Sequence, residues 1–154
     1  NSLCLMPVFQ HKKFDALSTE ELYAVLALRV EVFVVEQNCV YQDVDGKDPL
    51  ALHIIGTIDK EIVACARIFP KGIAYPDYAS IGRIVSSPKQ RGKKIGHALV
   101  AYSIEQCKVN YPGQKIKISA QAHLEAFYKQ HGFESTGEAY LEDGIPHIGM
   151  ILTV

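Results

Sequence analysis

The sequence has no tryptophan, two methionines, no Cys-x-x-Cys pair and no excess of charge of either sign. Sixteen Lys and Arg against 17 Asp and Glu leave a formal charge of -1, so no whole-molecule field gathers nucleic acid or an anionic membrane. Any anion site must be local. The longest apolar runs, such as Val32-Phe33-Val34-Val35, fall far short of the roughly 20 residues that a membrane-spanning helix needs. The segment from Asn1 to Pro7 has neither the basic stretch nor the cleavage pattern of a secretory signal. Cys4, Cys39, Cys65 and Cys107 are isolated, and Cys65 and Cys107 sit in apolar patterns that suit buried free thiols. A reducing cytoplasm is the expected compartment. No histidine pair has ligand spacing, and the acidic stretch from Asp43 to Asp48 lacks the calcium-loop pattern, with Ile54 where the twelfth-position Glu would stand. No metal site is expected.

What remains is an ordinary soluble composition, 48% apolar and 21% charged, over 154 residues. It predicts one domain, 1–154, with no repeat or linker. Ser18-Thr19-Glu20-Glu21 has capping-box spacing, and Leu22, Val25, Leu26, Arg29, Val30 and Phe33 recur at helical intervals behind it. The turn-rich 43–49 stretch leads to strands over 52–58 and 62–69, joined as a hairpin by Asp59-Lys60-Glu61. A strand follows over 80–85. A second long helix is expected over 92–109 with Ile95, Leu99, Tyr102 and Gln106 on one face, closed by Asn110-Tyr111-Pro112-Gly113. Then come a strand at 116–120, a helix at 123–131 stopped by Gly132, and strands at 134–140 and 147–154. The expected order is α, β, β, β, α, β, α, β, β, a three-layer α/β domain with a mixed sheet.

The most informative segment is the strand, basic glycine loop and helix from Ile84 to Ala98. Free N–H groups in a helix's first turn, the positive dipole end and the charges of Arg91, Lys93 and Lys94 suit a pyrophosphate, and Gly92 lets backbone come close. A solvated basic turn, with Gly96 serving close helix packing, is the alternative on local physics. Glycines at 92 and 96 alone do not make the Gly-x-Gly-x-x-Gly dinucleotide fingerprint, nor does His97-Ala98 complete a nucleotide P-loop.

Arg91-Gly92-Lys93-Lys94-Ile95-Gly96 resembles the acetyl-CoA loop of the GNAT N-acetyltransferases, Gln/Arg-x-x-Gly-x-Gly/Ala after a central strand, with Lys94 at the usual middle glycine. Ala126-Phe127-Tyr128-Lys129-Gln130-His131-Gly132-Phe133 resembles the family's second block. Phe33-Val34-Val35-Glu36-Gln37, Tyr41-Gln42-Asp43, Gln121-Ala122-His123-Leu124 and Glu142 to Met150 are similar to the ElaA-like branch.

The resemblance implies the acyl-CoA N-acyltransferase fold, an α/β/α arrangement whose mixed sheet splays at its centre, with acetyl-CoA as cosubstrate, no metal and an amine acceptor. It implies direct attack by the amine in a complex holding both substrates. Backbone of Ile84, Val85 and Ser86 would hold the pantetheine and thioester. Arg91, Gly92, Lys93, Lys94, Ile95, Gly96 and His97 would hold the pyrophosphate, with Gln121 and Phe127 beside the cofactor. Tyr128 would protonate the leaving thiolate. Glu36 is preferred as the base among Glu36, Glu142, Asp143, His123 and His147. A CoA-sensing or interaction module without catalysis is the alternative function. No nucleic-acid or membrane partner is expected, and the apolar 148–152 tail suits either a central strand or the edge of a homodimer.

Overall fold

Ser18 caps the first long helix as its spacing predicts: its hydroxyl accepts from the Glu21 N–H at 3.0 Å and its own N–H donates to Glu21 Oε1 at 2.9 Å. The computed structural model describes residues 5–154, which leaves Cys4 and the first residues of the 1–7 segment outside the described part. Strand β1 (Val8–Lys13) precedes helix α1 (Thr19–Arg29), which widens into a π-helical turn over Val30–Glu36. Strands β2 (Leu52–Ile58), β3 (Glu61–Phe69) and β4 (Ala79–Ser86) lead to α2 (Ile95–Asn110). β5 (Ile116–Gln121), the short α3 (Glu125–Lys129), β6 (Glu134–Glu142) and β7 (Ile145–Leu152) complete the chain.

The seven strands form one mixed sheet in the order β1-β2-β3-β4-β5-β7-β6. Helices cover both faces. Neighbours Ile54 and Ile55 of β2 fall into different core clusters, as strand alternation requires, Ile54 with α2 residues such as Leu99 and Ile104, Ile55 with Val25, Leu28 and Val32. The apolar tail is an interior strand, since β7 lies between β5 and β6 with Met150 fully buried.

Several expectations move, and the helix expected over 123–131 shortens to a 3-10 turn at Ala122–Leu124 followed by α3. β1 gave no sequence signal because it is an edge strand, Val-Phe-Gln-His-Lys-Lys, whose apolar contribution is mainly Phe9 stacked on Tyr102 at 5.4 Å. Helix α2 starts at Ile95, not Gly92, because Gly92 and Lys94 have positive φ (80° and 61°) and cannot continue a right-handed turn. Its buried stripe is Ile95, Leu99, Ser103 and Cys107 with Val100 and Ile104, so Tyr102 and Gln106 lie on its flank. The π turn swings Val30 outward, 42% exposed, and turns Val32 inward in its place.

Under the loop from Asn38 to Ala51 the fold buries charge. Arg29, on the apolar face of α1, is 1% exposed; its Nε donates to Asp43 Oδ2 at 2.8 Å and its Nη1 to Asp48 Oδ1 at 2.6 Å. Arg67 of β3 reaches Asp45 at 2.8 Å and Asp48 at 3.1 Å, and Arg83 of β4 reaches Asp43 Oδ1 at 2.8 Å. Three guanidinium groups thus meet three carboxylates. Burial alone would raise the Asp48 carboxyl, but Arg29 and Arg67 outweigh it and hold it below the usual range; the hydrogen bond from Arg67 holds Asp45 lower still. Burial also lowers His53, whose Nε2 donates to the Asp48 carbonyl at 2.8 Å.

Removing one partner strands the others, so Asp43→Ala is expected to destabilise the protein by about 3–5 kcal/mol in urea unfolding. For pH the sign follows from the depressed values. His53 binds its proton more readily in the unfolded chain, so stability begins to fall as pH drops through about 6.5. The depressed Asp45 and Asp48 contribute stability above about pH 4, which is lost as pH falls toward their folded values. Stability unchanged down to pH 3 would contradict this account.

Candidate active site

Parallel strands β4 and β5 pair only at Ala79 with Ile116 and Ser80 with Lys117, then diverge. β5 pairs instead with β7 along its whole length. On the other side of β4, Cys65 pairs with Val85 but Arg67 pairs with Gly82, which places one extra residue in β4 at Arg83 and Ile84. That bulge reverses the strand's facing: Ile81 packs with α2, whereas Val85, four residues on, packs with α1. Arg83 carries the strain at φ 49°, and its Nη2 donates to the Asp43 carbonyl at 2.9 Å. The buried network therefore pins the bulge.

The gap opens into a cleft. Gly82, Arg83 and Ile84 form one wall and Ser119 and Gln121 the other. Phe33, Gln37, Cys39 and Tyr41 close it from the α1 side, and Glu142, Asp143 and His147 from the β6–β7 hairpin. Gln37 Nε2 donates to Gln121 Oε1 across it at 3.4 Å, and the Cys39 thiol approaches the Asp143 carbonyl at 3.5 Å. Tyr128 lines it from α3, 7% exposed, and its hydroxyl finds no hydrogen-bond partner among the described residues. Burial pushes this phenol up to about 12, so it stays protonated at neutral pH.

The basic loop lies at the head of α2. Arg91, Gly92, Lys93 and Lys94 are exposed, and α2 has no side-chain cap, its first internal bond running from the Ala98 N–H to the Lys94 carbonyl at 3.2 Å. The N–H groups of the first turn thus face outward. A Cβ on Gly96 would meet Phe127 Cζ at an ordinary 3.6 Å, so packing does not demand this glycine. Lys94 holds a left-handed conformation that costs a non-glycine residue about 1 kcal/mol. Phe127 packs tilted against His97 at 4.4 Å, and His97 Nδ1 lies 2.9 Å from His131 Nε2, tying the head of α2 to the end of α3.

The predicted residues divide accordingly. Ile84, Gln121 and Tyr128 line the cleft, Val85 is buried behind it, and Ser86 ends β4 short of the loop. Glu36 lies outside the cleft lining: its Oε2 accepts from Arg91 Nη1 at 2.8 Å, and that ion pair holds its carboxyl below the usual range. His123 is exposed and also outside, whereas Glu142, Asp143 and His147 are inside. Arg83 escaped notice in the sequence. Its signal was an arginine within a strand of apolar neighbours, like Arg29 on an apolar helix face.

Comparison with known proteins agrees with this geometry. The family model for the acetyltransferase (GNAT) domain matches residues 15–154. The chain belongs to the GNAT acetyltransferase family. It is 47% identical over 144 residues to protein ElaA of Escherichia coli (strain K12), covering 92% of this chain and 94% of that one. The crystal structure of Escherichia coli ElaA superposes with a TM-score of 0.88 at 44% identity, covering 96% of this chain and 99% of the other. An acyl-CoA N-acyltransferase from Pseudomonas aeruginosa gives 0.89 at 40% identity with the same coverage. The GNAT fold implies an acyl-CoA cosubstrate, and the bare head of α2 and the unpaired edge of β4 fit one.

Lys94 stands where the GNAT loop carries glycine, so the position brings a charge and gives up backbone freedom. Lys94→Gly is expected to weaken acyl-CoA binding about two- to five-fold at low salt, with the difference vanishing at 1 M salt. Tighter binding by the variant in calorimetry would assign Lys94 a steric cost instead.

Proposed function

We propose that the protein is an acetyl-CoA-dependent N-acetyltransferase, working as one domain in the cytoplasm, that acetylates a primary amine of a small molecule, peptide or protein. The observation that carries this reading is the protonated, unpartnered Tyr128 phenol in a cleft that opens between β4 and β5 below the uncapped head of α2. Free thiols at Cys39, Cys65 and Cys107 support a reducing compartment, and burial pushes Cys65 and Cys107 up to about 12, which leaves them inert.

The chemistry follows from three needs. The amine must lose a proton before it can attack, the thioester oxygen needs donors as it gains charge, and the departing sulfur needs a proton. Pyrophosphate on the first turn of α2 would set the depth of the cofactor, and the pantetheine would lie along the β4 edge from Gly82 to Ser86 that β5 leaves unpaired. Backbone at the bulge would face the thioester oxygen. As nitrogen bonds to the acyl carbon and the carbon–sulfur bond breaks, Tyr128 would pass its proton to the thiolate and regain one from the amide nitrogen.

Calorimetric titration with acetyl-CoA, dephospho-CoA and pantetheine, followed by thiol release with a panel of amines, tests this reading. The expectation is saturable one-to-one binding that weakens sharply without the pyrophosphate, and CoA release that depends on the amine. Tyr128→Phe is expected to keep acetyl-CoA affinity and to lower kcat on the order of 100-fold. Tight binding with no amine-dependent release would make the protein a CoA-binding module, and an unchanged kcat would remove Tyr128 from the chemistry.

A further inference from the structure

His147 stands in β7, where its neighbours across the sheet are Gln121 of β5 and Tyr140 of β6. It is 7% exposed, its ring stacks on Tyr140 at 6.1 Å and 15°, and the cleft shares its remaining surface. The Tyr140 hydroxyl is itself held by Ser119 Oγ. The ring's orientation is thus constrained. Nδ1 lies 2.7 Å from the carbonyl oxygen of Ile145. A carbonyl only accepts, so Nδ1 carries the proton, and in the neutral ring Nε2 is left with its lone pair. Nε2 faces Glu142 Oε2 at 3.4 Å, and the Glu142 side chain is 52% exposed.

We propose that His147 Nε2 accepts the proton of the incoming ammonium and that Glu142 draws that ammonium in and stabilises the imidazolium that forms. The proposal rests on the acyltransferase reading and names the proton acceptor that reading requires. Other charged or titratable groups near the cleft are less suited. Arg83 is committed to Asp43, Tyr128 is held protonated, and Glu36 is bound to Arg91 outside the lining. Asp143 offers its backbone carbonyl to Cys39 at the outer turn.

The proton count closes. The ammonium gives one proton to Nε2; the neutral amine attacks; the second nitrogen proton replaces the one that Tyr128 gave to sulfur; and His147 releases its proton to solvent. One equivalent of acid therefore leaves per amide formed, as transfer from an ammonium requires. An acceptor that arrives as a cation is the substrate class this arrangement selects, because both lone-pair donors at this end, imidazole nitrogen and carboxylate, attract an ammonium.

The test compares a primary alkylamine with an alkoxyamine of the same length, which is already neutral at pH 7 and needs no proton removed before attack. His147→Gln is expected to lower kcat/KM on the alkylamine on the order of 100-fold, to lower it less than about 10-fold on the alkoxyamine, and to leave acetyl-CoA affinity within two-fold. Glu142→Gln, at a half-exposed position that does not threaten folding, is expected to raise KM for the alkylamine about three- to ten-fold and leave that for the alkoxyamine unchanged. Equal losses on the two amines, or undiminished turnover of the alkylamine, would overturn the assignment. Failure of the unsubstituted protein to bind acetyl-CoA would instead overturn the acyltransferase reading beneath it.

Discussion

Two buried arginines and two buried aspartates, joined at the surface by Arg83 and Asp45, set the geometry on which the cleft depends. Each charge is costly to bury alone, and the loop from Asn38 to Ala51 stays down because Asp43, Asp45 and Asp48 answer Arg29, Arg67 and Arg83 from three different elements. Asp43 is the hub: one carboxylate oxygen takes Arg29 of α1, the other takes Arg83 of β4 together with the Tyr41 hydroxyl at 2.9 Å. Apolar residues of the same volume would pack the sheet as well but would not fix a left-handed arginine in the middle of a strand. The network holds a strained backbone in place, and the strain lies where β4 leaves β5.

From that bulge the functional features follow in sequence. The extra residue reverses the facing of β4, so the strand can bury Ile81 under α2 and Val85 under α1 while its edge between them lacks a partner. An unpaired strand edge inside a protein is an invitation to an extended, amide-bearing ligand. Above it α2 begins without a cap, on two residues of positive φ that stop the helix from running back into the loop. Below it the proposed roles give Tyr128 and His147 opposite proton chemistry in one space, the buried phenol as donor and the imidazole, with the Ile145 carbonyl behind its Nδ1, as acceptor. On that reading cofactor, donor and acceptor ends meet at one break in one sheet.

Much of the fold was legible because it rests on local signals. The Ser18 capping box, the β-prone apolar runs of β2 and β3 and the Asp59-Lys60-Glu61 turn between them each fix their element within a few residues. β1 was not, since an exposed edge strand needs little apolar patterning. The head of α2 was misjudged by three residues because Lys94, unlike glycine, does not advertise a positive φ. In the site, the loop and Tyr128 stood out through the spacing of the family blocks. The buried ion network did not, because an acidic turn reads the same whether its carboxylates face water or arginines far along the chain. Spacing likewise did not separate the five candidate bases, for the separation is spatial: Glu36 pairs with Arg91 outside the cleft lining, whereas Glu142, Asp143 and His147 line it.

A crystal structure with acetyl-CoA bound tests the central claim most directly, that the pinned bulge in β4 opens the sheet for the cofactor. The account predicts pantetheine alongside Gly82 to Ser86 in the gap to β5, pyrophosphate on the first N–H groups of α2, and the thioester sulfur within hydrogen-bond reach of the Tyr128 hydroxyl. Acetyl-CoA lying outside the gap, with β4 and β5 paired beyond Ser80 and Lys117, would contradict it.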